Sequence, residues 1–180
     1  MALVPSIGLG QTEPRAAARG FGVQAASWPA LIALALTDRL LKFLALRGIT
    51  ATLIYGHVLD FRLFANRGIA FSLPFAGVSY WLLAGPLLLL VGYGLLYACR
   101  RRDAAETYAF AAVLVGALSN AYDRVLHGFV TDYLMFFGRS AVNIADGLIV
   151  GGLVAVFLME QKKKARPGDG ARGETGGQLR

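Results

Sequence analysis

Acidic and amide side chains recur near the ends of apolar segments, at spacings that place them on shared helix faces. Asn120 and Asp123 are three residues apart, and so are Asn143 and Asp146. Residues three or four apart lie on the same side of a helix. Asp132 stands between these two pairs in the chain, and its default interpretation is a solvated loop charge.

Asp38 and Lys42 lie four apart in another apolar segment, a spacing that predicts an ion pair along one helix. The simplest interpretation of this pair is structural. Asp123 with its neighbour Arg124 fits an interfacial cap at a helix end, and Asp146 fits an N-terminal cap. Ionisable residues inside membrane segments are nevertheless rare, and they usually face a bundle interior or a water-filled cavity.

Two carboxyl groups held close together cannot both ionise easily, so one keeps a proton. The charged member can take a proton from a water that attacks an amide carbonyl, while the other donates to the carbonyl oxygen. This is aspartic-peptidase chemistry, and it needs neither metal nor cofactor. The sequence has no H-E-x-x-H, G-x-S-x-G or phosphate-loop motif. Spacing alone does not show that an acid pair forms, and it leaves a small transporter open.

The elements that would position these groups are membrane helices. Of the 180 residues, 56% are hydrophobic and only 16% are charged, which is too apolar for an ordinary soluble domain. A spanning helix needs about 20 mostly apolar residues. Four segments qualify: 28–46, 80–98, 107–125 and 141–159. The first is the most polar, because it contains Asp38, Arg39 and Lys42.

Basic residues set the expected orientation. They cluster near the N terminus, between the second and third segments (Arg100, Arg101 and Arg102), and just after the fourth (Lys162, Lys163 and Lys164). With four spans these sites share one side, which the positive-inside rule makes cytoplasmic. The net charge of +7 therefore indicates topological anchors and no nucleic-acid partner.

The predicted fold is an all-α membrane protein with four transmembrane helices and both termini cytoplasmic. The long first outer loop, 47–79, contains β-forming residues and predicts one or two short strands. A shorter outer loop follows the third span, at 126–140. We expect disordered tails at 1–26 and 161–180 around a membrane domain at 27–160.

Four short motifs, in order, resemble those of the lipoprotein signal peptidase family, also called signal peptidase II. They are LTDRLLKF, NRGIAFSL, ALSNAYDRVLHGFVTDYL and VNIADG, and the resemblance covers roughly residues 28–160. It implies an aspartic endopeptidase of the bacterial inner membrane with its active site near the periplasmic face. It also implies cleavage of prolipoproteins just before a diacylglyceryl-modified cysteine. The implied partners are these substrates and membrane lipids, and the implied enzyme is a monomer without cofactor or metal.

The resemblance also implies roles for individual residues. It makes Asp132 and Asp146 the catalytic pair, so the acid with the bland loop interpretation becomes a candidate catalyst. The implied supporting residues are Asn120, Asp123 and Asn143 for ordering the site, Asn66, Gly68 and Arg124 for the substrate, and Asp38 and Lys42 for the helices.

Two motifs depart from the family pattern, and one of them also has Ile69 in place of an alanine. Its usual R-N-x-G-A-A-F-S is ANRGIAFS here, which moves the arginine to the other side of Asn66. LSN replaces the commoner L-G-N, a change expected to crowd a helix contact. Two other functions stay open: an ion-coupled carrier, against which the sequence shows no internal repeat, and a structural subunit whose polar residues only pair helices.

Overall fold

The protein is described by a computed structural model over residues 14–68 and 78–165, with side chains described for 28–56, 58–68 and 80–165. Four helices are present: α1 (Pro14–Leu46), α2 (Val78–Arg100), α3 (Ala104–His127) and α4 (Ile144–Ala165). Four strands join them: β1 (Ala51–Ile54), β2 (Leu59–Asn66), β3 (Val130–Phe136) and β4 (Ser140–Val142). A short 3-10 turn, Tyr55–His57, connects β1 to β2.

Helix α3 is the centre of the bundle, because it contacts α1, α2 and α4. A tight connection at residues 101–103 joins α2 to α3, and Asp103 caps α3 by accepting a hydrogen bond from the Glu106 amide at 3.1 Å. That backbone hydrogen bond lowers the pKa of Asp103. At the other end, Gly128 closes α3 in the left-handed conformation with φ of 76°, which favours glycine. The chain then turns directly into β3.

The strands form one antiparallel sheet in the order β1-β2-β3-β4. It lies where α1 and α3 end and α2 and α4 begin. The strands predicted in the first loop are confirmed. The 126–140 segment, expected as a plain loop, supplies β3 and the first residue of β4, so the all-α description needs this correction. Pairing across two loops distant in sequence produces the sheet, and no local pattern encodes it.

Three helices are long and apolar enough to cross a membrane: Tyr80–Arg100, Ala104–His127 and Ile144–Ala165. Three of the four predicted spans therefore have a helix of the required length and composition. Over its described side chains, α1 carries three charged residues, Asp38, Arg39 and Lys42, within five positions.

Both expected tails contain helix. Helix α1 begins at Pro14, inside the expected disordered tail 1–26, and α4 continues to Ala165, past residue 160. Alanine and arginine favour helix, and proline is compatible with the first helical position, which accounts for the early start. This corrects the expectation for residues 14–26 and 161–165. Residues 1–13 and 166–180 lie outside the described chain.

Two glycines allow α3 and α4 to pack closely. A Cβ added at Gly116 would lie 2.4 Å from the Ala145 carbonyl oxygen, and one at Gly152 would lie 2.6 Å from Val113 Cγ2. Small residues at such contacts let helix backbones approach in a membrane. Gly151, one residue away, meets nothing within 4 Å.

We predict that Gly152→Ala lowers thermal stability in detergent by about 1–3 kcal/mol, because the new methyl group overpacks the α3–α4 contact. The matched control is Gly151→Ala, which adds the same methyl group to open space. Its stability is expected to stay within about 1 kcal/mol of the parent. Equal melting temperatures for the two variants would contradict this packing.

Candidate active site

The residues singled out from the sequence meet at the end of the bundle that carries the sheet. They come from five parts of the chain: the second half of α1, the last turns of α3, the end of β2 and the turn after it, β3, and the start of α4 with the residue before it. Eight of the ten are joined by described hydrogen bonds or ion pairs into one continuous network, and Gly68 and Arg124 extend it outward.

Lys42 is the buried cation of this network, with 2% of its surface exposed. Its Nζ lies 3.4 Å from Asp38 Oδ2, as the four-residue spacing predicts. It lies closer to α3, at 2.9 Å from Asp123 Oδ2, and it donates to Asn120 Oδ1 at 2.8 Å. Lys42 therefore ties α1 to α3 in addition to pairing within α1.

Asp123 faces the interior of the bundle, so the interpretation of Asp123 with Arg124 as an interfacial helix cap is wrong for Asp123. It is 1% exposed, and its Oδ2 accepts the Thr131 amide at 3.0 Å as well as facing Lys42. Adjacent helical residues point about 100° apart, so Arg124 faces elsewhere. Asp123 thereby fixes the start of β3 to the end of α3.

Arg39 and Ser119 are site residues that the sequence reasoning missed. Arg39 Nη2 lies 2.9 Å from Asp123 Oδ1 and 3.5 Å from Asp38 Oδ2. Ser119 Oγ donates to Asp38 Oδ2 at 2.6 Å, so the serine of LSN adds a hydrogen bond in addition to occupying a helix contact. Their signal was position, since each is adjacent in sequence to a residue already chosen.

The N terminus of α4 is held by side chains from three elements. The Ile144 amide donates to Tyr133 Oη at 3.0 Å, the Ala145 amide to Asp38 Oδ1 at 3.2 Å, and the Asp146 amide to Asn143 Oδ1 at 2.8 Å. These are amides that a helix leaves without internal partners. Tyr133 in turn donates to Asp38 Oδ1 at 3.0 Å. Burial raises the pKa of Tyr133, which keeps its hydroxyl available as a donor.

Asp132 lies on β3 with 1% of its surface exposed, so its default interpretation as a solvated loop charge is wrong. Strand pairing places it opposite Phe64, in the interior of the sheet. Its Oδ2 accepts from Asn66 Nδ2 at 2.9 Å and its Oδ1 from Asn143 Nδ2 at 2.6 Å. Burial raises the pKa of Asp132 to about 6, with Asn66 opposing the shift and the nearby Asp146 adding to it.

Asp146 lies in the first turn of α4 and is more exposed than Asp132. Its Oδ1 accepts from Asn120 Nδ2 at 2.8 Å, and its Oδ2 from the Asn143 amide at 3.3 Å. With Asn143 bonded back to the Asp146 amide, the two residues form a reciprocal capping arrangement. The N-cap interpretation of Asp146 therefore holds in part, since Asn143 is the cap and Asp146 its partner.

Asn143 joins the two acids. Its side-chain amide donates to Asp132, while its backbone amide donates to Asp146. The same side chain also donates to Asn120 Oδ1 at 3.3 Å. A single residue thereby connects both carboxylates to each other and, through Asn120, to Lys42.

The four acids of this network, Asp38, Asp123, Asp132 and Asp146, fall into two classes. Asp38 and Asp123 each face a cation, Lys42 or Arg39. The described donors to Asp132 and Asp146 are neutral amides, and among the side chains described at 28–56, 58–68 and 80–165 neither acid has an ion-pair partner. An acid beside a cation stays ionised, whereas two neighbouring acids without one favour sharing a proton. Over the same residues, no cluster of His, Cys, Asp and Glu suits a metal ion.

Arg124 points to the chain that follows β2. Its Nη2 donates to the Gly68 carbonyl oxygen at 2.6 Å. The Gly68 amide donates to Asn66 Oδ1 at 3.1 Å, so both the N–H and the carbonyl oxygen of Gly68 are hydrogen-bonded. Arg67, the arginine displaced relative to the family pattern, is exposed. The motif residues Ile69 to Leu73 lie outside the described chain.

We predict that Lys42→Met destabilises the protein by roughly 3–5 kcal/mol, because it leaves buried carboxylates without their cation. Thermal unfolding in detergent would measure the loss. Lys164→Met, at an exposed lysine near the end of α4, is the matched control and is expected to unfold with the parent. A Lys42→Met melting temperature equal to that of the control would show that Lys42 is not the cation on which these acids depend.

This chain is similar to a family of known proteins. A family model described as signal peptidase (SPase) II matches residues 30–161. Proteins named lipoprotein signal peptidase are similar to this chain. The one from Sinorhizobium fredii is 36% identical over 110 residues, covering 56% of this chain and 65% of that relative. The one from Vibrio campbellii is 39% identical over 108 residues, covering 55% and 64%. Both alignments thus span slightly less than two thirds of the relative.

A third relative, from Azoarcus sp., is 34% identical over 131 residues, which cover 66% of this chain and 74% of the relative. Two solved structures share the fold. A bacterial membrane enzyme determined by the in meso method at 2.3 Å matches with a TM-score of 0.65 and 22% identity, covering 81% of this chain and 93% of that one. Another, at 1.9 Å, has a TM-score of 0.60 and 21% identity, covering 77% and 94%.

The matched residues include the whole of the described network and all four motifs on which the resemblance rested. The match begins two residues after the start of the 28–160 range. The resemblance is therefore confirmed, and the chain belongs to the signal peptidase (SPase) II family.

Proposed function

We propose that this protein is an intramembrane aspartic endopeptidase that removes signal peptides from diacylglyceryl-modified bacterial prolipoproteins. The observation that carries the proposal is the bridged pair of Asp132 and Asp146, which accept from neutral amides and share Asn143. The other two acids of the site are neutralised by Lys42 and Arg39. Family membership supports the substrate class.

The mechanism follows from one proton shared between two carboxyl groups. The ionised member accepts a proton from a water held between them, and that water attacks the scissile carbonyl carbon. The protonated member donates to the carbonyl oxygen as the tetrahedral intermediate forms. The proton taken from water then passes to the leaving amine as the C–N bond breaks. The pair titrates as a unit, so neither acid is assigned the resting proton.

The supporting residues act on geometry. Asn143 and Asn120 hold the two carboxylates, and Asn66 donates to Asp132 from the outer side of the site. In this proposal Asn66, the Gly68 carbonyl region and Arg124 bind the extended backbone around the scissile bond. Asp123 and the Asp38–Lys42 pair act on the helix ends that carry these groups and do not touch substrate.

The proposed topology has four spans with both termini in the cytoplasm. The basic residues 100–102 and 162–164 lie at the bundle end opposite the sheet, which the positive-inside rule would place in the cytoplasm. The acid pair then lies just below the periplasmic membrane surface. A diacylglyceryl-modified cysteine is held at that depth by its lipid, so its preceding peptide bond would reach Asp132 and Asp146.

We expect Asp132→Asn and Asp146→Asn each to reduce cleavage by at least about a thousandfold, because each removes one half of the proton-transfer pair. The measurement is a gel-shift assay with purified protein in detergent and a diacylglyceryl-modified prolipoprotein. Asp60→Asn is the control, since Asp60 is a buried acid on β2 that lies opposite Met135 in the strand pairing, whereas Asp132 lies opposite Phe64.

Thermal unfolding of the same samples separates a chemical defect from a folding defect. Full cleavage by either variant would reject that acid as a catalyst. Absence of cleavage by folded parent protein would reject the peptidase proposal itself.

The rate is expected to depend on pH through the shared proton. Because burial raises the pKa of Asp132 to about 6, the singly protonated pair is populated below about pH 6 and loses its shared proton above it. We therefore expect kcat/KM, which reports the free enzyme, to decline as pH rises through about 6. Bound substrate excludes water further and raises the Asp132 pKa, so the decline of kcat should occur at higher pH.

Steady-state cleavage measured across about pH 5 to 9 tests the expected declines of kcat/KM and of kcat. A kcat/KM that is constant over this range would contradict the shared-proton mechanism. A decline of kcat at lower pH than kcat/KM would contradict the assumed effect of substrate on the pair.

A further inference from the structure

Tyr80, at the start of α2, lies against the guanidinium of Arg124. The Arg124 Cζ is 4.3 Å from the centroid of the Tyr80 ring, within the range of a cation–π interaction. Trp81 packs edge-on against the same ring at 4.9 Å between centroids. Neither the motifs nor the proposed mechanism uses Tyr80.

Arg124 has few other constraints. In the part of the chain that the structure describes, it forms no ion pair, and its described hydrogen bond is the one to the Gly68 carbonyl oxygen at 2.6 Å. An arginine side chain loses considerable conformational freedom when it is held in one geometry. The face of an aromatic ring supplies a stable position for its planar group without consuming the N–H donors.

From this position the contacts lead to the acid pair. The Gly68 amide donates to Asn66 Oδ1 at 3.1 Å, and Asn66 Nδ2 donates to Asp132 Oδ2 at 2.9 Å. The order of contacts is therefore Tyr80, Arg124, Gly68, Asn66 and Asp132. It links the outer start of α2 to a reacting carboxylate, across a turn whose two polar backbone groups are both bonded.

We infer that Tyr80 is a positioning residue, whose ring orients Arg124 so that the turn at residues 66–68 stays closed over Asp132. The inference deepens the proposed function, because it assigns Tyr80 to the substrate-binding side of the same site. It differs from the alternative that Tyr80 is only an aromatic anchor at the membrane surface. That alternative predicts no effect on the 66–68 turn.

The first test reads the turn directly and needs no catalytic activity. Trypsin cleaves after arginine, and Arg67 is exposed and immediately precedes Gly68. Cleavage of a locally opened segment follows the free energy of opening. We expect Tyr80→Leu to speed cleavage after Arg67 by roughly 2- to 30-fold, the range that corresponds to one cation–π contact. Mass spectrometry of the fragments identifies this cut among those at other basic residues.

The controls separate the ring from its other roles. Tyr80→Phe keeps the aromatic face, and trypsin is expected to cleave it after Arg67 at the parent rate. Tyr93→Leu removes an exposed tyrosine of α2 that stacks on Tyr97, and trypsin should cleave this variant after Arg67 at the parent rate. Trypsin should cleave the double variant Tyr80→Leu/Arg124→Gln no faster than Arg124→Gln alone. Without the guanidinium there is nothing for the Tyr80 ring to orient, so its loss should have no further effect.

The inference is overturned if trypsin cleaves Tyr80→Leu after Arg67 at the parent rate. It is also overturned if Tyr80→Phe or Tyr93→Leu accelerates this cleavage as much as Tyr80→Leu does. Cleavage kinetics on the prolipoprotein provide the second readout. We expect Tyr80→Leu to raise KM several-fold, with kcat changed less, and Tyr80→Phe to restore the parent KM. An unchanged KM with a faster Arg67 cut would limit Tyr80 to the turn and remove its role in substrate binding.

The two proposals fail in different ways. If folded parent protein cleaves no prolipoprotein, the proposed function fails, while the trypsin comparison still decides whether Tyr80 holds the turn. If the parent cleaves prolipoprotein and the Tyr80 variants match it in both assays, only the inference about Tyr80 fails.

Discussion

The ammonium group of Lys42 is buried where three helices meet, and a buried cation requires carboxylates around it. Asp38 and Asp123 meet that requirement from α1 and α3, and Arg39 balances the second acid from the edge of the contact. The crossing of these helices is thus set by charge pairing as well as by packing. Once those charges are balanced, Asp132 and Asp146 are the acids of the network without a cation, which makes them suited to sharing a proton.

The start of α4 is the second constraint, and it depends on the first. Asp38, oriented by Lys42 and Ser119, also accepts the Ala145 amide, while Tyr133 accepts the Ile144 amide. These bonds fix the first turn of α4 against α1 and β3. Since Asn143 and Asp146 belong to that turn, their positions relative to Asp132 follow from the same contacts. Residues with structural roles thereby control the geometry of the residues proposed to react.

Much of this was accessible from spacing. The three-residue and four-residue intervals correctly placed Asn120 with Asp123 and Asp38 with Lys42, because helical periodicity is a local property of the chain. The buried location of Asp132 was not accessible in this way. It arises from the pairing of β3 with β2 and β4, and the β2–β3 pairing joins segments about 70 residues apart. Local sequence patterns contain no information about such pairing, so they indicated only a solvated loop charge. The resemblance to a family identified Asp132 as a candidate catalyst from the order of the motifs, without indicating where the residue lies in space.

The sequence by itself determined the apolar class of the protein, three of its membrane-length helices, the strands of the first loop and the family. Each of these depends on composition, periodicity or short motifs. The tertiary structure alone decided which acids face cations, that Asn143 bridges the remaining two, and that Arg39, Ser119 and Tyr133 bond to residues of the site. The physical reason is that hydrogen bonds and ion pairs between helices depend on distance in space, which residue spacing along one helix does not specify.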